Sequence, residues 1–256
     1  MNDLTLVIGS RNSSSWSLRA WLAMVASGLP FEEVVIALHR PDTAERIRRW
    51  SPSGKVPALL VDGEAIWDSL AICEFLAEKV PSLWPADPLE RARARSVACE
   101  MHAGFAELRR FMPMDVTARF SPPGKLLRGV ARDVQRIARI WNDCRERYAE
   151  RGPFLFGGFS IADIMHAPVV SRFVTYGVPL DPVSEEYVET MSSVPAMRAW
   201  AEAAAREVEA EIERRAAATP AATARPLSAV DGDAVARPQG SGAAIRLPEE
   251  RAPAPE

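Results

Sequence analysis

The sequence predicts an α/β module followed by an all-helical domain. Three observations carry that prediction. Through residue 79 the apolar pattern switches between strand and helix spacing in the order β-α-β-α-β-β-α. Strand signals then vanish beyond a proline-punctuated stretch at 81–88. From 89 to about 216 the patterns are long and helical. The predicted organisation is a module at 1–80, a linker at 81–88, a helical domain at 89–216 and an Ala/Pro-rich tail at 217–256.

Residues 4–8 are strand formers, ended by Gly9-Ser10. From Trp16 the spacing becomes helical, with Leu18, Trp21, Leu22 and Val25 on one face, and Ser27-Gly28-Leu29-Pro30 stops the helix. The Val/Ile-rich run at 31–38 completes a βαβ unit, for which parallel strands and a right-handed connection are expected. A basic segment at 39–51 follows, with a short helix around 44–50. Its Arg46, Arg48 and Arg49 form either a solvated face or an anion-facing one. Pro57 sits where the next strand begins, a position that tolerates proline and a cis bond. Asp62-Gly63 is a hairpin turn, Ala65-Ile66-Trp67 the return strand, and Asp68-Ser69 the start of a helix to about residue 79.

In the second half one helix is expected from 89 to about 110, broken by Met112-Pro113-Met114, then a loop at Ser121-Pro122-Pro123-Gly124. A second helix is expected at 126–151, an apolar central one at 160–174 and a last one at 195–218. Ser160-Ile161-Ala162-Asp163 has the form of a capping box with Asp in the usual Glu position, flanked by Phe159 and Ile164 as a staple; it builds a helix end. The tail from 217 is aperiodic and too poor in apolar residues to offset the entropy of ordering, so disorder is expected there.

Of the 256 residues 48% are hydrophobic, enough for a sizeable core in one or two domains. A net charge of −3 with mixed signs implies no bulk attraction to nucleic acid. No apolar run approaches the ~20 residues a membrane span requires, and no basic-then-apolar leader opens the chain. Cys73, Cys99 and Cys144 are odd in number, far apart and set in helical patterns, which suggests buried free thiols in a reducing cytoplasm. His39, His102 and His166 lack metal-ligand spacing, so no metal is expected.

The candidate chemistry lies between the first strand and the first helix, in Arg11-Asn12-Ser13-Ser14-Ser15-Trp16-Ser17. A strand turning directly into a helix aims the free N–H groups and positive end of that helix at one point, where an anion is stabilised. The serines are therefore candidates for holding a negative group, and equally for capping the helix.

Together, the βαβαββα module, Gly54-Lys55-Val56-Pro57-Ala58-Leu59, Asp68-Ser69-Leu70-Ala71-Ile72 and the helical domain with Ser160-x-x-Asp163 resemble the cytosolic glutathione S-transferases over residues 4–215. The serine loop is most similar to the serine-type classes, with some likeness to the zeta class that includes maleylacetoacetate isomerase. The resemblance implies a thioredoxin-like first domain, glutathione as co-substrate, a small hydrophobic electrophile as its partner, a cytoplasmic enzyme of detoxification and a homodimer, with Trp67 a candidate for its interface. It implies that Val56, beside a cis Pro57, pairs with the cysteinyl unit of glutathione. Ser69 then receives the γ-glutamyl carboxylate and Asp68 its ammonium. Lys55, the arginines at 46–49 and His39 are candidates for the glycyl carboxylate.

A serine hydroxyl donating to the thiol sulfur would favour the thiolate, the reactive form. Counting back from Gly28-Leu29-Pro30-Phe31 places that serine at Ser14, whereas counting from Trp16 favours Asn12 or Ser13; Ser14 is put first, Ser13 next, and Ser15 is taken as the cap. The resemblance places the electrophile beside the first long helices, where Met101, Phe105, Phe111, Met112 and Met114 are candidates for either site lining or core. Conjugation of glutathione to an electrophile is the expected activity. Glutathione-dependent cis–trans isomerisation and non-catalytic glutathione binding are the alternatives. A serine hydrolase is disfavoured, because no G-x-S-x-G elbow or His–Asp pair accompanies the serines.

Overall fold

A computed structural model describes residues 3–120 and 125–218. The expected loop at Ser121-Pro122-Pro123-Gly124 and the tail from residue 219 lie outside the described residues. Four strands, β1 (Leu4–Gly9), β2 (Glu32–Ile36), β3 (Ala58–Val61) and β4 (Glu64–Trp67), form one sheet in the order β2-β1-β3-β4. β1 runs parallel to β2, as a βαβ unit requires, and antiparallel to β3, which pairs with β4 through the Asp62-Gly63 turn.

The period of two along β1 divides the core. Leu4, Leu6 and Ile8 face one side of the sheet, packing with α1 (Ser15–Ser27) and α3 (Ser69–Lys79). Val7 faces the other, with Ile36, Ala58 and Ile47 of the short helix α2 (Thr43–Arg48). The buried side of α1 is broader than one stripe, because α1 packs against both α3 and the helical half. Leu18, Ala20, Leu22, Ala23 and Met24 are buried, while Val25, expected on the inner face, is exposed and Trp21 is half-buried against Trp200.

Beyond a 3₁₀ turn at Pro81–Leu83 come α4 (Pro88–Ala103), α5 (Ala106–Phe111), α6 (Arg128–Tyr148), α7 (Ile161–Tyr176), α8 (Pro182–Ser193) and α9 (Pro195–Ala218). The helix expected to run to about residue 110 instead ends at Ala103. Gly104 takes an extended conformation and Phe105 a left-handed one (φ 62°), so the chain turns before α5 begins. The helix α8 was not anticipated, although Asp181 caps it through Ser184 N and Pro182 occupies its first turn.

α7 is the centre of the helical half and is buried along nearly its whole length, as its largely apolar sequence predicts. The capping box is present at its head. Asp163, completely buried, accepts from Ser160 N at 2.9 Å and Ser160 Oγ at 3.0 Å. It also accepts from Leu155 N at 2.9 Å and Tyr187 Oη at 3.0 Å, so one carboxylate ties the preceding loop and α8 to α7.

The cysteines depart from expectation in one case. Cys73 and Cys144 are buried and burial pushes both thiols up to about 12, but Cys99 is exposed on α4. Native protein should therefore react at one thiol with a disulfide reagent, and at all three only after denaturation. A Cys99→Ser variant inert in the native state is the expected control.

Candidate functional site

Two cavities flank the β1–α1 loop. The first, about 430 Å³, is lined by Trp16, Ser53, Lys55, Val56, Pro57 and Trp67, and at one end by Asp68 and Ser69. Three elements place these groups. The Val56–Pro57 bond, immediately before β3, is cis. Asp68 joins β4 to α3 in a positive-φ conformation (φ 76°) and caps the helix, its Oδ1 accepting from Leu70 N at 2.8 Å. Ser69 is the first residue of α3 and is 1% exposed, and its hydroxyl has no hydrogen-bond partner among the described residues. A buried hydroxyl without a partner is costly. On the wall of a cavity, at the positive end of a helix, it suits an incoming carboxylate.

Five of the six residues expected to hold glutathione thus share one cavity; His39 does not. His39 follows β2 with φ 60°, between Leu38 and Arg40, which line the second cavity. That cavity, about 630 Å³, runs from Ser10, Asn12 and Ser13 across the end of β2 to α9. Trp67, considered for a subunit interface, lines the first cavity and is half-exposed on the outer strand β4.

The serines divide by environment. Ser14, and not Ser15, is the N-cap residue of α1, and its side chain makes no capping bond. Ser14 is buried, and its hydroxyl donates inward to Ser17 Oγ at 2.7 Å; Ser17 Oγ in turn accepts from Gly9 N at 3.0 Å. Ser15 is buried in the first turn. Ser13 is exposed on the wall of the larger cavity. Asn12 is committed to the helical half, its amide donating to Asp115 Oδ1 at 3.0 Å and accepting from Thr117 N at 3.0 Å. α9 clamps the same loop: Glu207 accepts from Arg11 N at 2.8 Å and pairs with its guanidinium, and Trp200 Nε1 donates to Arg11 O at 3.0 Å.

Behind the first cavity lies a group that sequence reasoning missed. The Trp16 ring has the guanidinium of Arg19 at 4.5 Å, that of Arg109 at 4.9 Å and the His102 ring edge-on at 5.1 Å. Arg19 is fully buried, its Nε donating to Met165 O at 3.0 Å, and burial lowers its pKa. The usable signal was an arginine three residues after Trp16 on an otherwise apolar helix face.

Of the residues considered for the electrophile, Met101, Phe105, Met112 and Met114 are buried in the core, and only Phe111 is exposed. Among the helix-face arginines, Arg46 lines the larger cavity and Arg49 pairs with Glu45 on the surface. Among the described residues no group of three or more His, Cys, Asp or Glu is placed to hold a metal ion, and no helix is long and apolar enough to cross a membrane.

The glutathione S-transferase N-terminal domain model matches residues 13–79, and the corresponding C-terminal domain model matches residues 129–203, together more than half of the chain. The chain belongs to the glutathione S-transferase family. Its fold accordingly pairs a thioredoxin-like domain with an all-helical one.

Within the family, this transferase-like chain is similar to a probable maleylacetoacetate isomerase of Caenorhabditis elegans, with 34% identity over 38% of this chain and 46% of that protein. It is also similar to the maleylacetoacetate isomerase of Rattus norvegicus, with 27% identity over 67% of this chain and 79% of the relative. The chain thus spans about half the length of the nematode relative and about four-fifths of the rat one.

Among solved structures, a Burkholderia glutathione transferase homologue with bound glutathione superposes with a TM-score of 0.61, at 22% identity over 80% of this chain and 99% of that one. A zeta-class bacterial maleyl pyruvate isomerase superposes at 0.60, with 22% identity over 78% and 97% of the two chains. At that identity the structural likeness bears on the fold.

Proposed function

We propose that the chain is a cytoplasmic glutathione transferase that adds the glutathione thiolate to a small electrophile. The observation that carries this is the first cavity. There the buried, unpartnered Ser69 hydroxyl, the acceptor Asp68 and the backbone at Val56–Pro57 supply complementary groups for one zwitterionic, peptide-like ligand. Ser69 and the N-terminus of α3 receive the γ-glutamyl carboxylate, Asp68 its ammonium, Val56 the cysteinyl backbone, and Lys55 a second carboxylate.

The thiol then points toward the β1–α1 loop. A free thiol has a pKa near ~8.5 and is mostly protonated at neutral pH. Each unit of lowering requires a preference for the anion of about 1.4 kcal/mol, within reach of one charge-assisted hydrogen bond plus a helix N-terminus.

With Ser14 donating inward to Ser17, the exposed Ser13 is the better donor to sulfur, and Ser14 shapes the loop beneath it. The larger cavity, which Ser13 borders, takes the electrophile against Val35, Leu38 and Val208. The thiolate attacks electrophilic carbon, a C–S bond forms, and the displaced electron pair leaves with a leaving group or takes up a proton from solvent. The homodimer implied by the family resemblance belongs to the same proposal, the half-exposed Trp67 being available to it.

A second activity, glutathione-dependent cis–trans isomerisation, is favoured by the similarity to the nematode and rat maleylacetoacetate isomerases. There the thiolate adds to a double bond and leaves again after rotation about it.

Calorimetric titration with glutathione tests the binding site. Wild-type binding is expected, with Ser69→Ala weakening it about tenfold through loss of a charge-assisted hydrogen bond. Absence of binding would overturn both activities. Parallel assays with a halogenated nitroaromatic and with a maleyl compound separate conjugation from isomerisation.

A further inference from the structure

We propose that His102 is the positioning residue for Asp68: the neutral imidazole steadies the carboxylate for a ligand ammonium, and protonation of the ring withdraws it. The proposal rests on the glutathione assignment above and extends it to a side chain on α4. His102 Nε2 lies 3.3 Å from Asp68 Oδ2, while Asp68 Oδ1 is engaged by Leu70 N at 2.8 Å. Each carboxylate oxygen retains a second acceptor direction, so an ammonium can still be received between two fixed contacts.

The other ring nitrogen decides the protonation state. Nδ1 is buried and has no hydrogen-bond partner among the described residues. With the proton on Nε2 facing Asp68, Nδ1 is an acceptor and its burial is tolerable. In the imidazolium it would be a buried N–H donor without an acceptor, which is more costly.

The charged neighbours pull in opposite directions. Asp68 at the head of α3 favours the cation, whereas Arg19 from α1 and Arg109 from α5, both stacked on Trp16, oppose it. Burial is the largest influence and lowers the His102 pKa. Elsewhere on the same helix, Glu100 is tied to Arg136. The buried His166 of α7 is pushed down to about 4, and the thiol of Cys73 is pushed up to about 12.

At neutral pH the ring is therefore uncharged and leaves the Asp68 carboxylate open to the ligand. As pH falls through the lowered His102 pKa, the imidazolium forms its own ion pair with Asp68 and repels an incoming ammonium. Trp16, in edge contact with His102 and lining the cavity, confines the ring beside Asp68.

The probe is S-methylglutathione, which keeps the ammonium and both carboxylates but has no thiol to titrate. Its Kd should rise about tenfold between about pH 7.5 and about pH 5, the effect of one competing charge. His102→Gln retains a donor to Asp68 but does not titrate, and its affinity should vary less than about twofold over that range. His39→Gln should keep the wild-type dependence. In the ligand-free protein, the His102 pKa read from ring NMR signals should fall further in Asp68→Asn. A pH-independent wild-type Kd, a His102→Gln variant that keeps the dependence, or a His102 pKa indifferent to Asp68→Asn would each overturn the proposal while leaving glutathione binding intact. No binding at either pH would overturn the glutathione assignment and this role together.

Discussion

Replacing Ser13 with alanine is expected to lower kcat/KM for conjugation about 10²-fold, the usual cost of removing one hydrogen bond aimed at a developing or stabilised anion. Glutathione affinity should change by less than about threefold, because the groups that hold its ends lie in the other cavity. Ser14→Ala should behave differently. Its hydroxyl belongs to a buried chain from Ser14 Oγ to Ser17 Oγ to Gly9 N, so about 1 kcal/mol of stability is lost while the rate stays within about threefold. Steady-state kinetics and urea unfolding on the two variants, measured side by side, check both halves. A Ser14→Ala enzyme as inactive as expected for Ser13→Ala would return the thiol to Ser14.

Asp163→Ala is expected to be among the most destabilising single substitutions in the chain, by about 3 kcal/mol or more, because it strands several buried donors at once. Leu155 N, Ser160 N, Ser160 Oγ and Tyr187 Oη all converge on this carboxylate. Its pH dependence is equally specific. Burial outweighs the hydrogen bonds and raises the Asp163 pKa to about 6.

The unfolded value is near ~3.9, so the contribution of this group to stability is fully present below that pH and is lost as pH rises through about 6. The penalty of Asp163→Asn, a side chain that does not titrate, should therefore be larger at about pH 4 than at about pH 7. Urea titrations of wild type and variant at the two pH values measure it. A penalty that grows with pH would show that the converging donors hold the carboxylate ionised.

The sheet was legible because its signals are local: a run of strand formers in β1, an Asp-Gly turn, and a proline at the start of β3. So was the capping box, which spans four residues. What local pattern could not supply was the direction in which a side chain points. Three consecutive serines look alike in sequence, yet Ser14 turns inward to Ser17 while Ser13 is exposed, because the loop turns between them as α1 begins. The helical pattern continues past residue 103, yet Gly104 is extended and Phe105 left-handed, so α4 ends at Ala103. α8 carried a usable signal that went unread, the Asp181-Pro182 start followed by Val183, Tyr187 and Met191 at helical spacing.

The site shows the same division. Lys55, Val56, Pro57, Asp68 and Ser69 lie close together in sequence, and the hairpin brings them into one cavity. His102 and Arg109 come from the other half of the chain and meet Trp16 only through packing. The methionines and phenylalanines considered for the electrophile site carried no signal that tells lining from core, and four of those five residues fill the core. The cavity that borders Ser13 is closed instead by α9, drawn over the loop by Arg11, Glu207 and Trp200.

In the proposed function the β1–α1 loop holds glutathione as a thiolate. The measurement that bears on it most directly is the pKa of the enzyme-bound thiol, followed by the ultraviolet absorbance of the thiolate across a pH titration. A value one to two units below the free thiol's ~8.5, rising back toward it in Ser13→Ala, is the expected result. A bound thiol that titrates as it does in water, or one whose lowered pKa survives both Ser13→Ala and Ser14→Ala, would contradict it.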